Sequence, residues 1–455
     1  MSDNNVVAGS SELERSTMRK VIPRLGGLLF VVYIFNYLDR TNVGIAKLQL
    51  QPDLGLSEAA FGLGAGLFFV GYVLFEIPSN AILYKVGARV WIARIMFSWG
   101  IVSMAMSLVQ NEWSFYLLRF LLGVAEAGLV PGVLLYLSSW IPAARRARVI
   151  TVFYIAVPVS TVIGAPLSTW LMGFTPWGLT GWQFMFLVEG FPCLILAVLT
   201  LKYLTNKPEQ AKWLSPEQRT WLTTELEKER AGVTAAHGHG AKSLLGSIKD
   251  KGVLAMASAF FCMIIPLYAL AFFLPTIVKA MGTFTTGQIG LMTAIPYVFA
   301  ALFMWLISRN SDRLQERTFH YVVPAALGVV GLVVAGLSLN SPVIAMIGFT
   351  LGAIGCISTL PTFWTQAPFL VGAGVAAAGG IAFITAFGNI AGFVSPYMVA
   401  LIKGDGAGTA GSTNAILVCS AFLVLAALSF FAVGRIIKNR AATTAALSTS
   451  KVSAS

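Results

Sequence analysis

Charge is what this sequence has least of. Only 11% of its 455 residues are Asp, Glu, Lys or Arg, while 57% are hydrophobic and the mean hydropathy is +0.78. Soluble domains carry roughly 25% charged residues, so an ordinary soluble enzyme is excluded. A disordered chain, which needs the opposite balance, is excluded as well. Histidine is nearly absent: His237, His239 and His320 are the three, and none stands well within an apolar stretch. Cys193, Cys262, Cys356 and Cys419 all sit in apolar runs without CxxC or Cys/His spacing. They read as small buried hydrophobes, not as disulfides or metal ligands. No HExxH, GxSxG or GxxxxGK[ST] occurs, which argues against intramembrane enzymes and against nucleotide-driven work. No cofactor, metal or nucleotide partner is expected. The alternating ten-residue segments of an outer-membrane barrel are also missing.

What is present is long apolar sequence. A helix needs about 20 apolar residues to cross a bilayer. Twelve stretches meet that need, near 22–46, 59–83, 90–109, 113–138, 149–172, 183–204, 253–279, 288–308, 320–339, 342–363, 374–401 and 413–437. The fold class expected is an all-α membrane protein, with the lipid bilayer as a partner. Residues 1–20 are polar and have no apolar core, so a cleavable signal peptide is not expected.

The net charge of +12 would suggest nucleic acid in a soluble protein. Here its distribution gives another reading. Let the chain cross twelve times with both ends on one side. That side then collects 26 of the 31 Lys and Arg residues, among them Arg15, Arg19, Lys20 and Arg24 before the first stretch and nine in the central linker. The other side keeps Lys47, Lys279 and Lys403, and Arg40 and Arg119 fall within stretches. By the positive-inside rule both termini are cytoplasmic, and no nucleic-acid partner is expected.

The stretches divide six and six. Expected boundaries are a tail over 1–20, a six-helix bundle over 21–204, a cytoplasmic linker over 205–251, a second bundle over 252–437 and a tail over 438–455. Ser215–Pro216–Glu217 is a helix start, predicting a short amphipathic helix to about Arg230. His237 and His239 follow in a Gly/Ala stretch that reads as flexible linker. The halves carry a weak repeat. NAILYKVGARVW and ISRNSDRLQER are basic turns between the second and third stretches of each half, and PVSTVIGAP and GNIAGFVSPY put Gly and Pro into the fifth of each. Paired interruptions of this kind point toward the binding site in repeat-built carriers.

These features resemble the major facilitator superfamily, whose turn motif is met imperfectly by Tyr84, Lys85, Gly87 and Arg89 and again by Asp312 and Arg313. FNYLDRTNVGIA at 35–46, RFLLGVAEAGLVPG at 119–132, GWQFMFLVEGFP, AKWLSPEQ and FGNIAGFVSPY are similar to the anion:cation symporter family. FEIPSNAILYKVGARVWIARI at 75–95 resembles its bacterial tartrate, phthalate and 4-hydroxyphenylacetate permease branch most. The resemblance implies two pseudo-symmetric six-helix bundles, a bacterial inner-membrane location and proton-coupled import of a small organic carboxylate. An exchanger or uniporter without proton coupling is the alternative. A monomer is expected.

Ionisable groups inside a membrane are costly and usually functional. Asp39, Arg40, Glu76, Arg119, Glu126 and Glu189 are the candidates, all in the first half. Arg40 is expected to hold the substrate carboxylate, because a guanidinium matches it as a bidentate fork and stays charged in a dry site; the resemblance implies the same role. Tyr37, one turn away, with Tyr72, Trp364 and Asn389, would complete the substrate wall. Asp39 and Arg40 are adjacent, hence about 100° apart around a helix, and cannot address one point. Asp39, Glu126 and Arg119 are therefore assigned to proton coupling, with Arg119 as the expected partner of Asp39. Glu76 and Glu189 are read as structural, their roles left open.

Overall fold

The computed structural model describes residues 2–236, 249–371, 375–406 and 408–453. His237 and His239 lie outside the described residues. Among the described residues the secondary structure is helical without a strand, and twelve helices are long and apolar enough to cross a membrane. They run Glu12–Leu54, Glu58–Val86, Ala88–Leu108, Glu112–Ser138, Val152–Leu171, Gly181–Tyr203, Lys251–Ala280, Thr286–Leu314, Phe319–Leu337, Pro342–Ala367, Gly380–Lys403 and Gly408–Arg440. The expected class and the count of twelve both hold.

Polar residues set the helix ends. Asn111 and Ser114 form a reciprocal capping box at the start of the fourth span, as do Thr180 with Gln183 at the sixth and Thr285 with Gln288 at the eighth. The linker helix runs Pro216–Ala236, further than the expected end near Arg230, and Ser215 caps it by accepting from the Gln218 N–H at 3.2 Å. Asp250 caps the seventh span and also receives Arg440 Nη2 at 2.6 Å. Burial acts to raise the Asp250 carboxyl, but the Arg440 and Gly252 hydrogen bonds outweigh it and hold the group below its ordinary range.

Three boundaries differ from the sequence reading. The first helix continues to Leu54 and stops at Gly55, whose φ of +62° suits glycine. Lys47, expected in an outer loop, is therefore within the helix and only 1% exposed. The last helix continues to Ser453, through the residues expected as a tail. The Gly/Pro-rich fifth and eleventh spans are unbroken, with Pro158, Pro166 and Pro396 inside them. The breaks fall in the fourth and tenth spans instead, at Ala127–Gly128 and at Ser358. A proline deletes one helix bond and membrane helices tolerate it, whereas Gly128 at φ +87° ends the helix outright.

The chain forms two compact units, residues 1–56 with 67–238, and residues 57–66 with 239–455. In the first unit the first span packs on the fifth and sixth, and the third on the sixth. Glycine permits the closest approaches. A Cβ on Gly123 of the fourth span would overlap the Phe68 carbonyl of the second, and one on Gly190 would meet the Gly100 carbonyl at 3.1 Å. In the second unit the seventh span packs on the eleventh and twelfth, and the ninth on the tenth and twelfth. Residues 57–66 are fixed in that unit by Glu58, which receives Lys403 Nζ at 2.7 Å and whose N–H donates to Asp405 Oδ1 at 2.7 Å.

Candidate functional site

The first span carries its polar side chains on two faces. Asn36 and Arg40 are one turn apart, and both donate to Glu126 Oε2, at 2.8 Å from Asn36 Nδ2 and 2.7 Å from Arg40 Nη2. Glu126 is fully buried and the Arg40 side chain 8% exposed. The break in the fourth span positions this carboxylate, since Glu126 is the last residue of the helix Glu112–Glu126. Ser79 Oγ donates to the Ala127 carbonyl at 2.6 Å and itself receives Trp91 Nε1 at 2.9 Å, which pins the break. A helix carboxyl end is the negative end of its dipole, so a guanidinium is well placed there. The Arg40 guanidinium also stands 5.1 Å from the Phe68 ring centre and 5.2 Å from that of Tyr72. The glycine contact at Gly123 brings the second span, with both rings, up to the fourth.

The other face holds Asp39 and Asn42. Asp39 accepts from Trp99 Nε1 at 2.5 Å, from Ser103 Oγ and, at 3.3 Å, from Asn42 Nδ2. Trp99 and Ser103 are one turn apart in the third span. Asn42 Nδ2 also donates to Glu189 Oε2 at 2.9 Å, and Ser168 Oγ donates to Glu189 Oε1 at 2.6 Å. Glu189, read from the sequence as structural, is thus joined to Asp39 through one amide. Gly190 and Gly100 provide the close packing of the third and sixth spans that sets Glu189 beside this group.

Arg119 links the two faces. It is 1% exposed, its guanidinium carbon is 5.1 Å from the Phe68 ring centre, and it lies within electrostatic reach of Asp39, Glu126 and Arg40. Around two guanidiniums therefore stand three buried carboxyls, those of Asp39, Glu126 and Glu189. Burying such charges is tolerable only with hydrogen bonds and mutual pairing, and this cluster supplies both.

The remaining expected residues divide between the units. Tyr37 is buried in the first, edge-on to Tyr33 at 6.4 Å. Trp364 and Asn389 belong to the second unit. Trp364 packs edge-on against Phe260 and Phe363, each at 5.2 Å, and Asn389 is half-buried in the eleventh span. Glu76 is half-buried in the second span. Asn36, Asn42, Trp99, Ser103 and Ser168 were not foreseen. The i,i+4 spacing of Asn36 with Arg40 and the i,i+3 spacing of Asp39 with Asn42 were the available signals.

Residues 29–396 match the profile of the Major Facilitator Superfamily. The chain belongs to that superfamily. A protein of Agrobacterium vitis named "Putative tartrate transporter" is 46% identical to it over 91% of this chain and 95% of that one. A "Quinolone resistance transporter" of Acinetobacter baumannii is 41% identical over 86% of this chain and 89% of its own. Among solved structures, a bacterial homologue of the human lysosomal transporter Spinster superposes with a TM-score of 0.72 over 91% of this chain and 97% of that one, at 16% identity. This major facilitator chain is a multi-pass membrane transporter and not an enzyme.

Proposed function

We propose that the chain is a proton-coupled symporter importing a small organic carboxylate of the tartrate or phthalate kind, within the anion:cation symporter family. The observation that carries this reading is the buried Arg40–Glu126 pair at 2.7 Å. In this reading a substrate carboxylate takes Arg40 in place of Glu126. An abandoned carboxylate in a dry site is costly, and a proton removes the cost. Anion and proton then bind together, each favouring the other by the same factor. The charge count supports the same reading: with Asp39, Glu126, Glu189, Arg40 and Arg119 all ionised the cluster has one net negative charge, which one proton cancels. Tyr37 and Tyr72 contribute the substrate wall beside Arg40, and Asp39 and Arg119 relay the proton's effect.

In this reading the chain carries its substrate across the bacterial inner membrane, with both termini cytoplasmic. Import of more positive than negative charge lets the membrane potential contribute about 2.3 kcal/mol per charge per 100 mV. The test is uptake of tartrate and of phthalate into proteoliposomes. An imposed inward proton gradient accelerates and concentrates uptake if symport is right; saturable uptake indifferent to the gradient would leave an exchanger or uniporter. The 41% identity to a quinolone resistance transporter favours a second reading, export. Raised quinolone tolerance in cells expressing this chain, without carboxylate uptake, would support it.

A further inference from the structure

A second basic site lies away from the buried cluster, where the first span begins. Lys20, Pro23, Arg24 and Leu28 form one wall of a groove of about 660 Å³, and Leu199, Tyr203 and Trp213 form the other. These residues come from the head of the first span, the tail of the sixth and the start of the linker, all within the first unit. Pro23 lies in a π-helical turn, Ile22–Gly26.

The side chains are arranged around a cation. The Arg24 guanidinium carbon lies 5.4 Å from the Tyr203 ring centre and 5.0 Å from that of Trp213. Trp213 is itself fixed, stacked on Trp140 at 5.7 Å and donating from Nε1 to Thr205 Oγ1 at 3.3 Å. Arg24 Nε is buried without an acceptor, and no carboxylate among the described residues pairs with Arg24. Lys20 Nζ donates to the neutral Gln218 Oε1 at 3.0 Å, which leaves its charge uncompensated. So two positive charges stand together in a concave site with no acid. Leu28 and Leu199 continue the groove along the apolar faces of two membrane-spanning helices.

We infer that this groove binds an anionic glycerophospholipid of the leaflet on the amino-terminal side, its phosphate on Lys20 and Arg24 and an acyl chain along Leu28 and Leu199. Basic pockets between helices at a membrane surface take such headgroups. A free phosphate would satisfy the cations but not the leucines, and a zwitterionic lipid would satisfy the leucines but bring its own cation to the site. The bound lipid would tie the first span, the sixth span and the linker through Trp213. The inference is independent of which solute the transporter carries.

The experiment uses the full chain in detergent and measures retention of phosphatidylglycerol and phosphatidylcholine by native mass spectrometry, with inorganic phosphate as a third ligand. Two basic residues predict a preference for phosphatidylglycerol of roughly thirtyfold over phosphatidylcholine. The double variant Lys20→Gln with Arg24→Gln should lose that preference, while Arg309→Gln with Arg313→Gln should keep it. Hydrogen exchange on the unaltered protein should show phosphatidylglycerol protecting residues 17–28 and 199–215. Equal retention of the two lipids, a preference surviving in the double variant, protection elsewhere only, or inorganic phosphate binding as tightly as phosphatidylglycerol would each overturn the proposal.

Discussion

Arg40 and Glu126 answer different questions when changed. Arg40→Ala removes both the proposed substrate ligand and the partner of a buried carboxylate. Loss of any tartrate- or phthalate-induced rise in melting temperature is expected, together with a stability cost of about 3–5 kcal/mol from the orphaned Glu126. Arg40→Lys separates the two effects: it keeps a charge for Glu126 but not the bidentate fork, so stability should recover more than binding. Glu126→Gln keeps a hydrogen-bond acceptor for Asn36 and Arg40 and cannot titrate. In proteoliposomes it should lose accumulation driven by a proton gradient and retain substrate counterflow. Accumulation at the unaltered level would remove Glu126 from the coupling. The residue types at these positions were readable from the sequence because charge in an apolar helix is conspicuous. Their partners were not. The Asn36–Arg40 spacing says that the two share a face, but not that the face meets Glu126. Glu189 looked structural until the fold set Asn42 between it and Asp39.

At the scale of the element, the break after Glu126 matters most. Gly128 has φ +87°, and a Cβ there would lie 2.5 Å from Ser79 Oγ, the group that pins the break. Gly128→Ala is expected to cost about 1–3 kcal/mol through backbone strain and to loosen the Arg40–Glu126 pair. A lowered melting temperature with weaker carboxylate binding would check this; an unchanged protein would show that the break tolerates a side chain. The sequence placed interruptions in the fifth and eleventh spans because PVSTVIGAP and GNIAGFVSPY put Gly and Pro at matching places in the two halves. Composition measures how easily a helix can bend, whereas the break after Glu126 depends on a left-handed glycine held from a neighbouring helix. Only the packing of the second span against the fourth supplies that hold.

For the whole molecule, the uneven distribution of Lys and Arg makes a topological prediction. The native cysteines are buried, so a membrane-impermeant maleimide reads introduced ones against a quiet background. Lys212→Cys in the linker should react only after the membrane is opened. Ser341→Cys, exposed between the ninth and tenth spans, should react in intact cells. The reverse pattern would invert the proposed orientation.

The twelve spans and the all-α class follow from the sequence alone, because a bilayer requires each crossing to satisfy its own backbone and bury about 20 apolar residues. The scarcity of charge likewise picks out Asp39, Arg40, Arg119 and Glu126 without any coordinates. Which acid meets which base belongs to tertiary structure. It depends on glycine contacts between the second and fourth spans and between the third and sixth, where helices separated in sequence approach backbone to backbone. The lipid groove is of the same kind. Lys20 and Arg24 first appear as two of many basic residues on one side of a membrane, and only Tyr203 and Trp213, folded over from the other wall, make a site of them.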